Sequence, residues 1–285
     1  MPKIAPIVLA VAASLAAAMS RLEAAAIVFC SPGSPGDTLQ AQPAMDQLAR
    51  AVEKAGGLAA GTVGAEYHEA EAAGLQALRA PGTLLSAVPV PFFVEHAQDL
   101  GLDPRLSIVT NAALPERYAL VARKGSISKA AELSGWEVTG APGYAAGFVR
   151  RLFGKGWGTL PADARVSFTA APLQALRRAA AGEKLAVVLD ATQSASLSNL
   201  PFGSELDIVA RSEPLPAGLV CAVKGPAAGS AKTVQSILKG LERLPKSPEG
   251  KEALTAIRIE RFEPIDAARV ARLRAEYGDA AAPKP

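Results

Sequence analysis

Ile27-Val28-Phe29-Cys30-Ser31-Pro32-Gly33-Ser34-Pro35-Gly36 decides how the chain is read. Four consecutive apolar residues form a strand buried on both faces, which alternating polarity would contradict. The run empties into a loop whose prolines and glycines can continue neither strand nor helix. A strand that stops at a Gly/Ser/Pro loop and is followed by an amphipathic helix is the repeating unit of a parallel α/β sheet.

The unit recurs outward from there. Pro43 opens a secure helix with Met45, Leu48, Ala49 and Val52 on one face, stopped at Gly56-Gly57, and Asp37-Thr38 with Gln40 could cap an extra turn before it. Strand Leu58 to Val63, helix Glu66 to Arg79 with Tyr67 inward, strand Thr83 to Val88, a helix opened by Pro89-Val90-Pro91, and strand Arg105 to Thr110 complete a first half. A second begins with strand Tyr118 to Arg123 and short helix Ala130 to Leu133, then strand Trp136 to Gly140 and helix Ala145 to Phe153. It continues through strand Arg165 to Thr169, helix Pro172 to Ala181, strand Leu185 to Leu189, helix Ala191 to Leu200 and strand Glu205 to Arg211. Ser212-Glu213-Pro214-Leu215-Pro216 is stiff and extended, because each proline fixes its own φ and restricts the residue before it. Strand Gly218 to Lys224 follows, then helices Ser230 to Leu244 and Pro248 to Ile257, the latter capped by Ser247, and a small polar tail from Asp279. The reading gives a signal segment over residues 1–26, a first lobe over 27–113, a second over 114–215, a return to the first over 216–278, and the tail over 279–285.

The first 26 residues differ in kind: Lys3, an uncharged apolar run from Ile4 to Met19, and Ala24-Ala25-Ala26 have the layout of a signal peptide cleaved after Ala26. An uncleaved anchor is the alternative, and export to the periplasm follows on either reading. Thirty Lys and Arg against 27 Asp and Glu, with no long block of one sign, leave no electrostatic footprint for nucleic acid.

Chemistry-bearing motifs are sparse. The two histidines, His68 and His96, have no metal-ligand spacing, and neither a G-x-S-x-G elbow nor a phosphate-binding G-x-x-x-x-G-K-[ST] loop occurs. Gly154-Lys155-Gly156-Trp157 has no strand ahead of it and no hydroxyl after the lysine. Cys30 reads as a buried strand residue rather than a nucleophile paired with His68. No catalytic residue, metal or cofactor is therefore expected, and the chain is expected not to be an enzyme. Four loops at strand carboxyl ends stand out instead: Ser31 to Thr38, Ser86 to Pro91, Ala141 to Gly147 and Asp190 to Ser194. Open α/β sheets bind ligands at such ends, and amides opening the next helix can hold a polar ligand.

In this order the elements resemble the phosphate/phosphite/phosphonate-binding receptors of ABC transporters, of the type II periplasmic binding protein fold. The resemblance spans Ile27 to about Asp266. It is carried by the first-strand loop with Gln42-Pro43, by Ala65-Glu66-Tyr67 and Tyr118-Ala119-Leu120-Val121, by the Gly140-Ala141-Pro142-Gly143 turn ahead of Gly147-Phe148, and by Ser247-Pro248-Glu249-Gly250-Lys251-Glu252-Ala253-Leu254. It implies two lobes, each a mostly parallel sheet flanked by helices, joined by crossovers near Leu114 to Arg117 and Ser212 to Ala217 that hinge closed on a ligand. It also implies a monomer that delivers a small molecule, an oxyanion in much of the family, to an inner-membrane ABC permease. A receptor-like domain that has lost transport and serves a membrane partner as sensor or scaffold is the alternative. In this topology the strand with Cys221 enters the first sheet beyond the third strand, so Cys30 and Cys221 are expected to be free thiols.

Tyr67 matches a tyrosine that lines the cleft in phosphonate receptors. Elsewhere the chain departs from the pattern: the family's Ser-Thr-Ser cluster is Tyr144-Ala145-Ala146, its aromatic and amide after the third strand become Val88-Pro89-Val90-Pro91-Phe92, its histidine falls near Ala170 or Ala171, and its amine-binding glutamate falls at Gln193. The expected ligand-binding set is Ser31, Ser34, Thr38, Tyr67, Pro89, Val90, Tyr144, Ala145, Thr192 and Gln193.

Overall fold

The computed structural model describes residues 27–34, 36–110, 116–224 and 230–278. The expected signal segment, the tail, Pro35 and the first part of the expected 114–117 crossover lie outside them. The strands are β1 (Ile27–Cys30), β2 (Ala65–His68), β3 (Leu85–Val88), β4 (Asp103–Thr110), β5 (Ala119–Arg123), β6 (Glu137–Gly140), β7 (Arg165–Phe168), β8 (Leu185–Leu189), β9 (Leu206–Arg211), β10 (Gly218–Ala222) and β11 (Ile259–Pro264). The helices are α1 (Thr38–Gly56), α2 (Glu71–Leu78), α3 (Val90–Leu100), α4 (Ala146–Leu152), α5 (Pro172–Ala180), α6 (Ala191–Ala195), α7 (Ser230–Arg243), α8 (Pro248–Ala256) and α9 (Ala267–Tyr277).

Two mixed sheets result, ordered β11-β4-β10-β3-β1-β2 and β7-β6-β8-β5-β9. In the first, β1 to β4 run one way against β10 and β11; in the second, β5 alone opposes the other four. The chain leaves the first sheet after β4, builds the second, and returns through β10. The two crossovers lie side by side: Glu116 and Leu215 form an antiparallel bridge, and the Ser212 hydroxyl accepts the Tyr118 amide at 2.9 Å.

Burial on both faces of the central strands sets the layers. Ile27 and Phe29 face a core shared with α1, α7 and α8. Val28 and Cys30 face the opposite side, into a cluster that holds Phe92 and Phe93 of α3 and also Leu120, Phe148 and Val188 of the second lobe. Ala119, Val121 and Val187 point outward against α5. One apolar cluster therefore runs from lobe to lobe. Helix α9 reinforces it: the Tyr277 ring lies 5.3 Å from Phe148, the Tyr277 carbonyl accepts from Arg151 Nε, and the Arg274 guanidinium donates to Leu102 O and stacks over Phe93.

Local signals account for most boundaries. The Asp37 carboxylate accepts the Gln40 amide and does cap an extra turn, and Gly57 ends α1 at φ 69°. The Ser247 hydroxyl caps α8 through the Gly250 amide. Three expectations are corrected. The second strand lies at Ala65–His68 rather than Leu58 to Val63, because Gly61 at φ 79° and the turn bond from Thr62 N to Ala59 O hold 58–64 as a loop, with the Val63 amide donating to the buried Glu53 carboxylate. Tyr67 consequently stands on a strand, paired with Phe29, and not on a helix. The helix from Ala191 stops at Ala195, where the Ser194 and Ser196 hydroxyls bond back to the Ala191 and Thr192 carbonyls. Strand β11 was not anticipated; a bulge between Ile259 and Arg261 breaks its alternation.

Gly74 lets α2 lie directly on β1: a Cβ there would sit 2.1 Å from the Cys30 sulfur. Gly74→Ala is expected to cost about 1–3 kcal/mol by overpacking. Urea unfolding of the single and double variants should show Cys30→Ala costing less in the Gly74→Ala background than alone, a coupling of about 0.5 kcal/mol or more.

Candidate functional site

The loop after β1 is tied down before it meets anything else. Ser31 N donates to His68 O, Gly33 N to Glu69 O, and the Thr38 hydroxyl to the Glu69 carboxylate at 3.0 Å. So anchored, the loop reaches the second lobe: at Gly33, φ 78°, a Cβ would lie 3.0 Å from the Phe168 ring and 3.2 Å from Ala141 Cβ. Only glycine suits both the conformation and the approach.

A cavity of about 790 Å³ opens beside this contact. Its first-lobe wall is the β1 loop, through Gly33, Ser34 and Gly36, with Glu69 and Glu71 after β2. Its second-lobe wall is Tyr144, Phe168, Ala170 and Gln193, from the loops after β6, β7 and β8. Phe168 is 47% exposed, one of three large apolar side chains left open among the described residues, and meets Tyr144 edge to face at 6.3 Å. The Tyr144 hydroxyl is buried and has no hydrogen-bond partner, an arrangement that costs free energy until a donor or acceptor is supplied. Burial, with the Tyr118 hydroxyl as a smaller cause, keeps it protonated well above the usual phenol range. Glu71 pairs with His96 at 2.8 Å. No lysine or arginine among the described residues lines this cavity.

A second cavity, of about 570 Å³, lies on the α1 side of the same loop and shares Ser34 and Gly36 with the first. Ser31, Tyr67 and Pro89 line it, together with Arg258. The Tyr67 hydroxyl is also buried without a partner.

The expected set thus divides. Ser34, Tyr144 and Gln193 line the inter-lobe cavity, and Ser31, Ser34, Tyr67 and Pro89 the second. Val90 and Ala145 are buried in the core, the Thr38 hydroxyl is committed to Glu69, and Thr192 lines neither cavity. Gln193 partly serves its own helix, its side-chain Oε1 accepting the Asp190 amide and its backbone N–H donating to the Asp190 carboxylate. Phe168, Glu69, Glu71 and Arg258 were not singled out. Phe168 ends an unremarkable strand, and nothing in sequence marks Arg258.

Cys30 on β1 and Cys221 on β10 are free and separated by β3, and burial pushes both thiols up to about 12, far from the thiolate that nucleophilic chemistry needs. No group of three or more His, Cys, Asp or Glu placed to hold a metal occurs among the described residues.

Comparison with known proteins places this geometry. No family model and no curated protein matches the chain. Solved structures do: XAC2383 from Xanthomonas citri bound to chloride aligns over 88% of this chain and 95% of that one, at TM-score 0.66 and 14% identity. The binding-protein component of an ABC phosphonate transporter from Pseudomonas aeruginosa aligns over 88% and 85%, at 0.62 and 12%. The fold is that of the type II periplasmic binding proteins. PhnD1 from Prochlorococcus marinus in complex with methylphosphonate also aligns, over 89% and 97%, at 0.56 and 13%. At these identities the likeness establishes architecture alone.

Where the crossovers meet the second lobe, Glu116 Oε1 accepts the Ala191 amide at 3.2 Å. Burial raises the Glu116 pKa, the Ala191 bond lowers it, and the nearby Asp190 charge raises it again. The folded chain therefore binds this proton more tightly than the unfolded one. The penalty is absent below the ordinary carboxylate range, grows as pH rises through the folded-state pKa, and is complete above it. Glu116→Gln keeps the acceptor without the charge. Its melting temperature should exceed that of the parent at about pH 7 and converge with it toward about pH 4.

Proposed function

We propose that the protein is a periplasmic solute receptor that holds a small ligand between its lobes and presents it to an inner-membrane ABC permease. The observation that carries this reading is the single cavity walled by the β1 loop of one lobe and by Tyr144, Phe168 and Gln193 of the other. A ligand there touches both lobes at once, so its binding energy favours the closed arrangement. Ser34, Tyr144 and Gln193 make the direct polar contacts, and Phe168 and Pro172 the apolar ones. Thr38, Val90, Ala145 and Thr192 act through backbone position, and Ser31, Tyr67 and Pro89 serve the adjoining cavity. Export by the amino-terminal segment and monomeric action belong to the same reading.

Two carboxylates and no cation are a poor match for a dianion in the inter-lobe cavity, where a buried charge without partners costs several kcal/mol. The part of the ligand held there is apolar or carries hydrogen-bond donors.

A thermal-shift screen of the purified protein against neutral, cationic and anionic small molecules, methylphosphonate and phosphate among them, tests the reading. A true ligand at about 100 times its Kd adds about 2.7 kcal/mol, a rise of about 5 °C or more. Ala170 is exposed and lines the cavity, so Ala170→Trp should fill it without disturbing the fold and abolish the rise. A rise that survives Ala170→Trp would overturn the assignment.

A further inference from the structure

The turn from α8 into β11 contains the one described residue other than glycine with positive φ, Arg258 at 57°. A side chain in the left-handed region costs about 1–2 kcal/mol, and the position just past a helix end is ordinarily given to glycine or asparagine. Glycine would close this turn equally well, since the bond that closes it, from Arg258 N to Thr255 O, involves backbone alone. The Arg258 side chain is exposed, and no hydrogen bond or ion pair among the described residues occupies its guanidinium. Strain kept for a side chain with no polar partner in the fold points to use elsewhere.

That use is visible in the cavity it lines. Among the described residues Arg258 is the only charged one on the 570 Å³ chamber, whose polar walls include Ser31, Ser34 and Tyr67 and whose apolar floor includes Phe29 and Met45. The Tyr67 hydroxyl is buried and unpartnered. Burial, aided by the Glu69 charge, holds it protonated as a donor. One guanidinium and one phenol O–H over an apolar floor suit a single negative charge on an apolar body; a dianion would leave half its charge unmatched. The chamber next door, across Ser34 and Gly36, carries carboxylates instead.

We propose that this chamber binds the head of an amphipathic monoanion, a carboxylate attached to an apolar chain or ring, with Arg258 as its counter-charge and the Tyr67 hydroxyl as its second donor. The inference rests on the receptor reading in one respect, that ligand enters through the cleft shared by the two cavities. Titration calorimetry with 4-phenylbutanoate and its neutral amide tests it on the full chain. The acid should bind about tenfold or more tightly than the amide, and Arg258→Gly should erase that preference while leaving the melting temperature equal or higher, because glycine relieves the turn. Tyr67→Phe should weaken the acid several-fold and leave the amide unchanged. Equal binding of acid and amide, no binding of the acid, or full acid affinity in Arg258→Gly would overturn the assignment. Ala170→Trp separates the two readings: acid binding lost there but indifferent to Arg258→Gly sinks the anchor and spares the receptor. Acid binding sensitive to Arg258→Gly but untouched by Ala170→Trp sinks the inter-lobe site and spares the anchor.

Discussion

Two extended segments lying side by side, bridged at Glu116 and Leu215, tie one lobe to the other beside the cleft. Each lobe has its own sheet, so where Gly33 stands relative to Phe168 is set by what joins them, the crossovers together with the apolar cluster that runs from lobe to lobe. The prolines of Ser212 to Pro216 limit how the crossovers can bend. The buried carboxylate at this joint is tied to the second lobe, where the Ala191 amide partly offsets the burial of Glu116.

The two cavities also differ in what they ask of a ligand. Each has a buried phenol without a partner, but one is walled by both lobes and carries carboxylates, whereas the other belongs to the first lobe and carries, among the described residues, a lone cation. Because they meet at Ser34 and Gly36, a ligand long enough to occupy both would be read at two ends with opposite polarity. Specificity would then come from the distance between those ends as well as from the groups themselves.

Much of this was legible in the chain. The uninterrupted apolar runs of β1 and β8 and the caps at Asp37, Gly57 and Ser247 carry their own local physics, so their elements fall where expected or within a few residues. What was not legible has local competitors. Leu58 to Val63 has strand-like composition, yet Gly61 and the demand of Glu53 for the Val63 amide make it a loop. Strand β11 hides behind a bulge, and α6 is cut short by serines that bond to their own backbone. In the site, family correspondence pointed to Tyr67 as a cleft residue; its pairing with Phe29 sets it on the wall of the chamber on the α1 side. Arg258 was invisible because its interest lies in a backbone angle.

Helix α9 touches both lobes, through Arg274 and Phe93 on one side and Tyr277 and Phe148 on the other, beside an apolar cluster that already joins them. Parting the lobes therefore means wetting nonpolar surface, and that step carries a positive heat-capacity change. The free energy of opening is then a curved function of temperature: the seam loosens on cooling as the hydrophobic term fades. Two lobes joined this way shut more firmly in warm water than in cold.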